Sequence, residues 1–176
     1  MPRKKYFSML IFLVSLIFCS PHPLKTTPQT PLEKLKLNIP ENATDKIVFL
    51  TFKISLEDST TDKHLVTLIN STLAEGKLKI KSFKEPVEIE KNYLYFELSA
   101  DENGVKNYER VENPLRMVYE YPGEVNGQLA KALIKNKTGD FVIRFQYDSS
   151  MKYLLIYKPG IDSLILKPIY RGEIVH

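Results

Sequence analysis

Hydrophobic and polar residues alternate with a period of two over most of the chain from residue 46 onward. Such alternation is typical of β-strands, because successive side chains of a strand point to opposite faces of the sheet. In Lys46–Ile54 both sets of alternate positions are largely apolar, which predicts a central strand with two covered faces. The other segments with this period are 64–70, 77–83, 92–99, 105–111, 116–121, 141–147, 151–158 and 161–166.

Turn signals separate these segments. Asn103-Gly104 favours a tight type I′ hairpin turn, in which both central residues need a positive φ, and it predicts that 105–111 returns beside 92–99. Pro159-Gly160 predicts another turn, and Pro168 is expected to end the last strand because proline cannot donate to a sheet.

Glu124–Asn136 departs from the period of two. Leu129 and Leu133 are four residues apart, as are Ala130 and Ile134, so these pairs would lie together on one side of a helix. The segment therefore predicts one short helix.

Many short strands separated by turns predict an all-β protein. We expect an antiparallel β-sandwich, immunoglobulin-like or transthyretin-like, of about 8–10 strands with at most one short helix. A closed barrel is the alternative that the pattern leaves open. No repeat or second domain is visible, so 33–176 is predicted to be a single domain.

The N-terminus has the pattern of an export signal. Basic Met1–Lys5 precedes the apolar run Tyr6–Phe18, which is shorter than the roughly 20 residues of a membrane-spanning helix. We predict a signal peptide over residues 1–18. A proline-rich tether over residues 19–32 follows, since such a segment favours an extended chain.

The single cysteine of the chain, Cys19, ends the apolar run. With Leu16 three residues before it, Cys19 resembles the lipidated cysteine of bacterial lipoproteins, although Phe18 stands where that pattern has a small residue. The resemblance covers only the first twenty residues. It implies export and a membrane anchor through lipid on Cys19; ordinary secretion and a retained N-terminal anchor are the alternatives.

Charge argues against a nucleic-acid partner. The chain has 25 basic and 21 acidic residues, a net charge of +4. Loss of residues 1–18 would remove Arg3, Lys4 and Lys5 and no acid, leaving 22 basic and 21 acidic residues and a net charge of +1. A nearly neutral domain lacks the basic footprint of DNA- or RNA-binding proteins.

The residues that usually carry catalysis are sparse. His22, His64 and His176 are far apart in the sequence, and Cys19 lies before the domain, so neither a triad nor a zinc site is indicated. We predict a non-enzymatic protein without a metal or another cofactor.

Paired carboxylates are the exception. Glu88 with Glu90, or Asp101 with Glu102, would be needed for the alternative of a carboxylate-based glycan hydrolase. Carboxylates are also the ordinary residues of a solvated strand face or turn, which is the reading we favour.

Four tyrosines form the candidate binding surface. Tyr93 and Tyr95 are two residues apart, as are Tyr119 and Tyr121, so each pair lies on one face of its strand. If both rows faced outward, they would suit a protein or glycan partner. The alternative is that one or both rows belong to the core.

These observations predict an interaction or accessory module of the bacterial cell envelope, facing the periplasm or the cell surface. A secreted glycan hydrolase or glycan-binding protein is the first alternative. The second is a eukaryotic secreted glycoprotein, because Asn42, Asn70 and Asn136 each begin an N-x-[ST] sequon.

Overall fold

The computed structural model describes residues 30–37, 45–79, 88–104, 107–123, 127–160 and 165–175. Within these ranges the protein forms ten β-strands and no helix. The strands are β1 (Leu32–Lys36), β2 (Lys46–Asp58), β3 (Lys63–Glu75), β4 (Tyr93–Ser99), β5 (Glu109–Glu112), β6 (Arg116–Pro122), β7 (Leu129–Lys135), β8 (Thr138–Gln146), β9 (Tyr153–Pro159) and β10 (Leu166–Val175).

The strands form three sheets. The largest has the order β1-β10-β9-β4-β5, the second has the order β3-β2-β8, and β6 pairs with β7 alone. All pairings are antiparallel except that of β1 with β10, which is parallel. The five-stranded and three-stranded sheets enclose one apolar core, which confirms the predicted all-β sandwich.

Both sheets contribute alternate side chains to that core. Phe52 of β2 contacts Tyr170 of β10 with ring centroids 5.1 Å apart, and it stacks on Phe141 of β8 at 5.5 Å. The even positions 48–54, predicted to share one face, are all buried. The five-stranded sheet supplies Leu35, Leu94, Phe96, Leu154, Ile156, Tyr170 and Ile174, and the three-stranded sheet supplies Val48, Leu50, Phe52, Ile54, Val66, Phe141, Ile143 and Phe145.

The outer side of the five-stranded sheet carries a second, smaller cluster. Tyr95, Leu155 and Tyr157 are buried there, with Tyr93 and Tyr108 packed against them. Strands β4 and β9 are therefore covered on both faces.

The predicted helix over Glu124–Asn136 is wrong in the part that the structure describes. Residues Leu129–Lys135 form β7, which pairs with β6 from Pro122↔Leu129 to Arg116↔Lys135. The same residues also alternate, with Ala130, Ala132 and Ile134 on one face, so the i,i+4 pairs did not discriminate between helix and strand. The backbone hydrogen bonds that β6 offers decide in favour of the strand.

Three other predicted strands differ from the structure or lie partly outside it. Strands β4 and β5 do pair, but Phe96↔Glu109 is the last matched pair, so Asn103-Gly104 lies inside a longer loop instead of forming a two-residue hairpin. Pro168 does not end β10, which continues to Val175 past a register shift between Pro168 and Tyr170. Residues 77–79 are described but do not form a strand. Three groups of predicted residues lie outside the described ranges, namely 80–83, 161–164 and the N-terminal segments over 1–29.

Candidate functional site

The β6–β7 hairpin has one face without a single charge. In an antiparallel pair, directly opposed residues project to the same side of the sheet. The register pairs Met117 with Ile134, Tyr119 with Ala132, and Tyr121 with Ala130. We call these six residues the charge-free face.

The larger side chains of the charge-free face are open to solvent. Tyr119 and Tyr121 expose 47% and 49% of their surface, and Met117 and Ile134 expose 37% and 44%. A two-stranded sheet is marginally stable on its own, and contiguous exposed apolar side chains mark interaction sites on folded proteins. The charge-free face is therefore the candidate binding surface of this domain.

The opposite face of the hairpin is mixed. It carries exposed Val118 and Leu133, together with an ion pair in which Lys131 Nζ lies 2.9 Å from Glu120 Oε1. Its charges distinguish it from the charge-free face and make it a natural control surface.

The four predicted tyrosines do not form one surface. Tyr119 and Tyr121 are exposed on β6, whereas Tyr93 and Tyr95 lie on β4 in a different sheet. Tyr95 is wholly buried, so the prediction that it contributes to an exposed surface is wrong. Tyr93 is half-buried beneath the Arg110 guanidinium, which lies 4.3 Å from the centre of its ring.

Tyr95 has a structural role that its hydroxyl explains. The oxygen accepts a hydrogen bond of 2.6 Å from the Glu90 N–H and donates one of 3.0 Å to the Glu88 carbonyl oxygen. Burial raises the pKa of this phenol, which keeps the hydroxyl protonated as a donor. Tyr95 thus fixes the segment before β4 against the outer side of the sheet.

Three of the four paired carboxylates named from the sequence have a partner outside the pocket described next. Glu90 forms an ion pair with Arg110 at 2.6 Å, and Glu102 forms one with Arg171 at 2.6 Å. Asp101 Oδ1 accepts the Asn103 N–H at 2.7 Å, as in an ordinary turn. None of these residues lines the pocket described next.

A pocket of about 290 Å³ lies at the base of the β6–β7 hairpin. It is walled by the turn between β2 and β3, by the adjoining ends of β6 and β7, and by the end of β9. Four of its lining side chains are basic, and Asp62 is the one carboxylate. The basic residues are Lys91, Arg116, Lys135 and Lys158. Sequence analysis missed this pocket, because its walls come from segments far apart in the chain.

Asp62 is held in place from two sides. Its backbone has a φ of +56°, which aspartate tolerates better than most residues. Its carboxylate oxygens lie 2.5 and 2.6 Å from Lys158 Nζ, and its carbonyl oxygen contacts His64 Nδ1 at 2.8 Å. Burial, and then the nearby Lys158 ammonium, lower the pKa of His64, so the imidazole is neutral near pH 7.

The other predicted site residues fall in two groups. Cys19, Asn42, His22 and His176 lie outside the described residues. Asn70 is exposed, whereas Asn136 is half-buried and donates through Nδ2 to the Pro114 carbonyl oxygen at 3.0 Å. Among the residues described, no group of three or more His, Cys, Asp or Glu side chains is placed to hold a metal ion. None of them forms a helix able to span a membrane.

Comparison of the chain with protein families, with curated proteins and with solved structures finds no match.

Proposed function

We propose that this protein is an exported, lipid-anchored, non-enzymatic module of the bacterial cell envelope that binds another envelope protein through the charge-free face. The observation that carries the proposal is that face itself: six residues without a charge, with two tyrosines about half exposed. Tyrosine combines a large apolar contact with a polar tip, which is why it is frequent at protein interfaces.

The partner is expected to present a complementary apolar surface. The six residues of the charge-free face are fewer than the roughly 20–30 residues that each partner contributes to a standard interface. A partner that also covered the mixed face would have to remove the exposed Glu120–Lys131 ion pair from water, which is costly, so contact is expected chiefly on the charge-free face.

A photo-crosslinking residue placed at position 121 tests this surface in intact cells. We expect a discrete adduct from position 121 that is absent when the same residue replaces Val118, which is comparably exposed on the opposite face. Tyr119→Ser combined with Tyr121→Ser should abolish the complex. Equal crosslinking from positions 118 and 121 would contradict the assignment of the partner to the charge-free face.

The anchor rests on the N-terminal pattern and on Cys19. Several acyl chains hold a protein at a membrane far more firmly than one chain does. With the N-terminus fixed in this way, the length of the proline-rich tether would determine how far the domain reaches from the bilayer. Intact mass and detergent-phase partitioning should show a lipid-sized increment in the wild-type protein that Cys19→Ala lacks. Maturation of the wild type without that increment would disprove the anchor.

Glycan binding is the second candidate, and the exposure of Tyr119 and Tyr121 favours it. The two residues lie on the same face of β6 with their Cα atoms about 7 Å apart, so both rings are available to stack on a sugar chain. Co-sedimentation with isolated cell-wall glycan would then be lost in Tyr121→Ala and retained in Tyr121→Phe. Equal sedimentation of both variants would exclude this use of the ring.

A further inference from the structure

We infer that the pocket at the base of the β6–β7 hairpin binds the phosphate group of a small molecule between Arg116 and Lys135. This site is separate from the proposed partner surface, because Arg116 and Lys135 project from the mixed face of the hairpin. Either proposal can therefore fail while the other stands.

The first observation is the juxtaposition of two cations. Arg116 and Lys135 are directly opposed in the register of β6 and β7, which places their Cβ atoms about 5 Å apart. Like charges in this arrangement destabilise a strand pair. Among the described residues no carboxylate forms an ion pair with either side chain. An anion between them would turn the repulsion into attraction.

The second observation is an unsatisfied donor. Arg116 Nε is buried and has no hydrogen-bond partner among the described residues. Buried polar atoms without a partner are rare in folded proteins and commonly indicate a bound water or ion. A guanidinium presents its N–H groups in a planar fork that matches the oxygens of a phosphate.

The third observation is that the pocket's own carboxylate is already neutralised. Both oxygens of Asp62 contact Lys158 Nζ, at 2.5 and 2.6 Å. The negative charge of Asp62 is therefore balanced by Lys158 and does not neutralise the positive charges of Arg116 and Lys135. Two uncompensated cations favour a dianion, and phosphate carries a charge between −1.5 and −2 near neutral pH.

The size of the pocket indicates that the phosphate belongs to a larger molecule. A volume of about 290 Å³ is near the lower end of the range for small-molecule sites and exceeds the needs of one oxyanion. Leu56, Leu115 and Pro159 line part of it and provide an apolar wall for the rest of the molecule. A phosphate monoester of a small alcohol or sugar fits this combination.

Inorganic phosphate is the first probe, because it carries the recognised group alone. At constant ionic strength, phosphate should raise the Tm of the wild-type protein, whereas chloride and acetate should not. Propyl phosphate, whose alkyl chain can contact the apolar wall, should bind more tightly than inorganic phosphate, and equal affinity would contradict the proposal that the phosphate belongs to a larger molecule. An equal Tm for phosphate, acetate and chloride would overturn the proposal.

Substitution of Lys135 separates binding from folding. Lys135→Gln should raise the Tm in the absence of phosphate, because it removes the like-charge pair, and should abolish the response to phosphate. Arg116→Lys keeps the charge but loses the planar fork, and should weaken phosphate binding about tenfold or more. Lys53→Gln, an exposed lysine of β2 outside the pocket, is the matched control and should respond as the wild type does. If phosphate raised the Tm of Arg116→Gln and of Lys135→Gln as much as it raised the Tm of the wild type, the site would be disproved.

Discussion

The ammonium group of Lys158 lies within 2.6 Å of both carboxylate oxygens of Asp62, with only 13% and 17% of the two side chains exposed. This ion pair joins the end of β9 in the five-stranded sheet to the turn between β2 and β3 in the other layer. It therefore connects the two layers of the sandwich beside the pocket.

Removing one member of this pair should destabilise the fold. Lys158→Met leaves the Asp62 carboxylate shielded from water without its cation, and we expect the free energy of unfolding to fall by about 2–3 kcal/mol. Asp62→Asn, which keeps a residue suited to the positive φ, should have a similar effect. Urea unfolding measures both. In the control Glu75→Gln, which breaks the exposed Lys46–Glu75 pair, the midpoint should barely move, and an equal loss there would contradict this account.

Stability should depend on pH through His64. Its pKa is lowered in the folded protein, chiefly by burial and then by Lys158, so the unfolded chain binds this proton more readily. Acidification from the unfolded value of about 6.5 down to the lowered pKa should therefore destabilise the fold. His64→Gln removes the titrating group. The stability of the wild type relative to the variant, measured by urea unfolding, should be constant above about pH 7 and fall as the pH is lowered below about 6.5. A difference that is independent of pH over this range would refute the effect.

The buried hydroxyl of Tyr95 should contribute more to the free energy of unfolding than the hydroxyl of an exposed tyrosine. Tyr95→Phe leaves the Glu90 N–H and the Glu88 carbonyl without their shared partner, and we expect a loss of about 1–3 kcal/mol. Tyr121→Phe removes a hydroxyl from a residue that is 49% exposed and should leave stability unchanged. Thermal unfolding of the two variants compares them directly. Equal stability would show that the Tyr95 hydrogen bonds are replaced by water.

Gly104 tests how closely the β4–β5 loop packs on buried Glu97. Its φ is +75°, and a Cβ atom at this position would overlap the Glu97 carboxylate. Gly127 has a similar φ of +80° with open space around it. Gly104→Ala should therefore destabilise the protein more than Gly127→Ala, which incurs only the backbone cost of about 1 kcal/mol. Comparable unfolding free energies for the two variants would mean that the loop moves away from Glu97 without cost.

The sandwich could be predicted because its core side chains alternate along each strand, and this alternation is visible in the sequence. Phe52 and Ile54, like Phe141 and Ile143, lie at alternate positions of runs long enough to exclude other periods, and all four are buried. The segment over β7 satisfied two periods at once, and only its pairing with β6 decides between them. That ambiguity concealed the opposition of Arg116 and Lys135, since the two residues face each other only if β7 is a strand.

The roles of the tyrosines could not be assigned from the sequence. Tyr95 and Tyr121 have the same strand spacing relative to their neighbours, yet one is wholly buried and the other half exposed. The difference arises because residues 88–90 cover the outer side of β4, and that contact is between parts of the chain that periodicity does not relate.

The short strand β1 protects an edge. It runs parallel to β10 from Leu32↔Arg171 to Lys36↔Val175, and Leu35 packs over Gly172, where a side chain would collide with it. Without β1, the backbone donors and acceptors along that side of β10 would be open to strands from neighbouring molecules. A protease that released β1 would therefore replace a short edge strand of five residues by the ten-residue edge of β10, and the truncated domain should be more prone to pair with strands of neighbouring molecules.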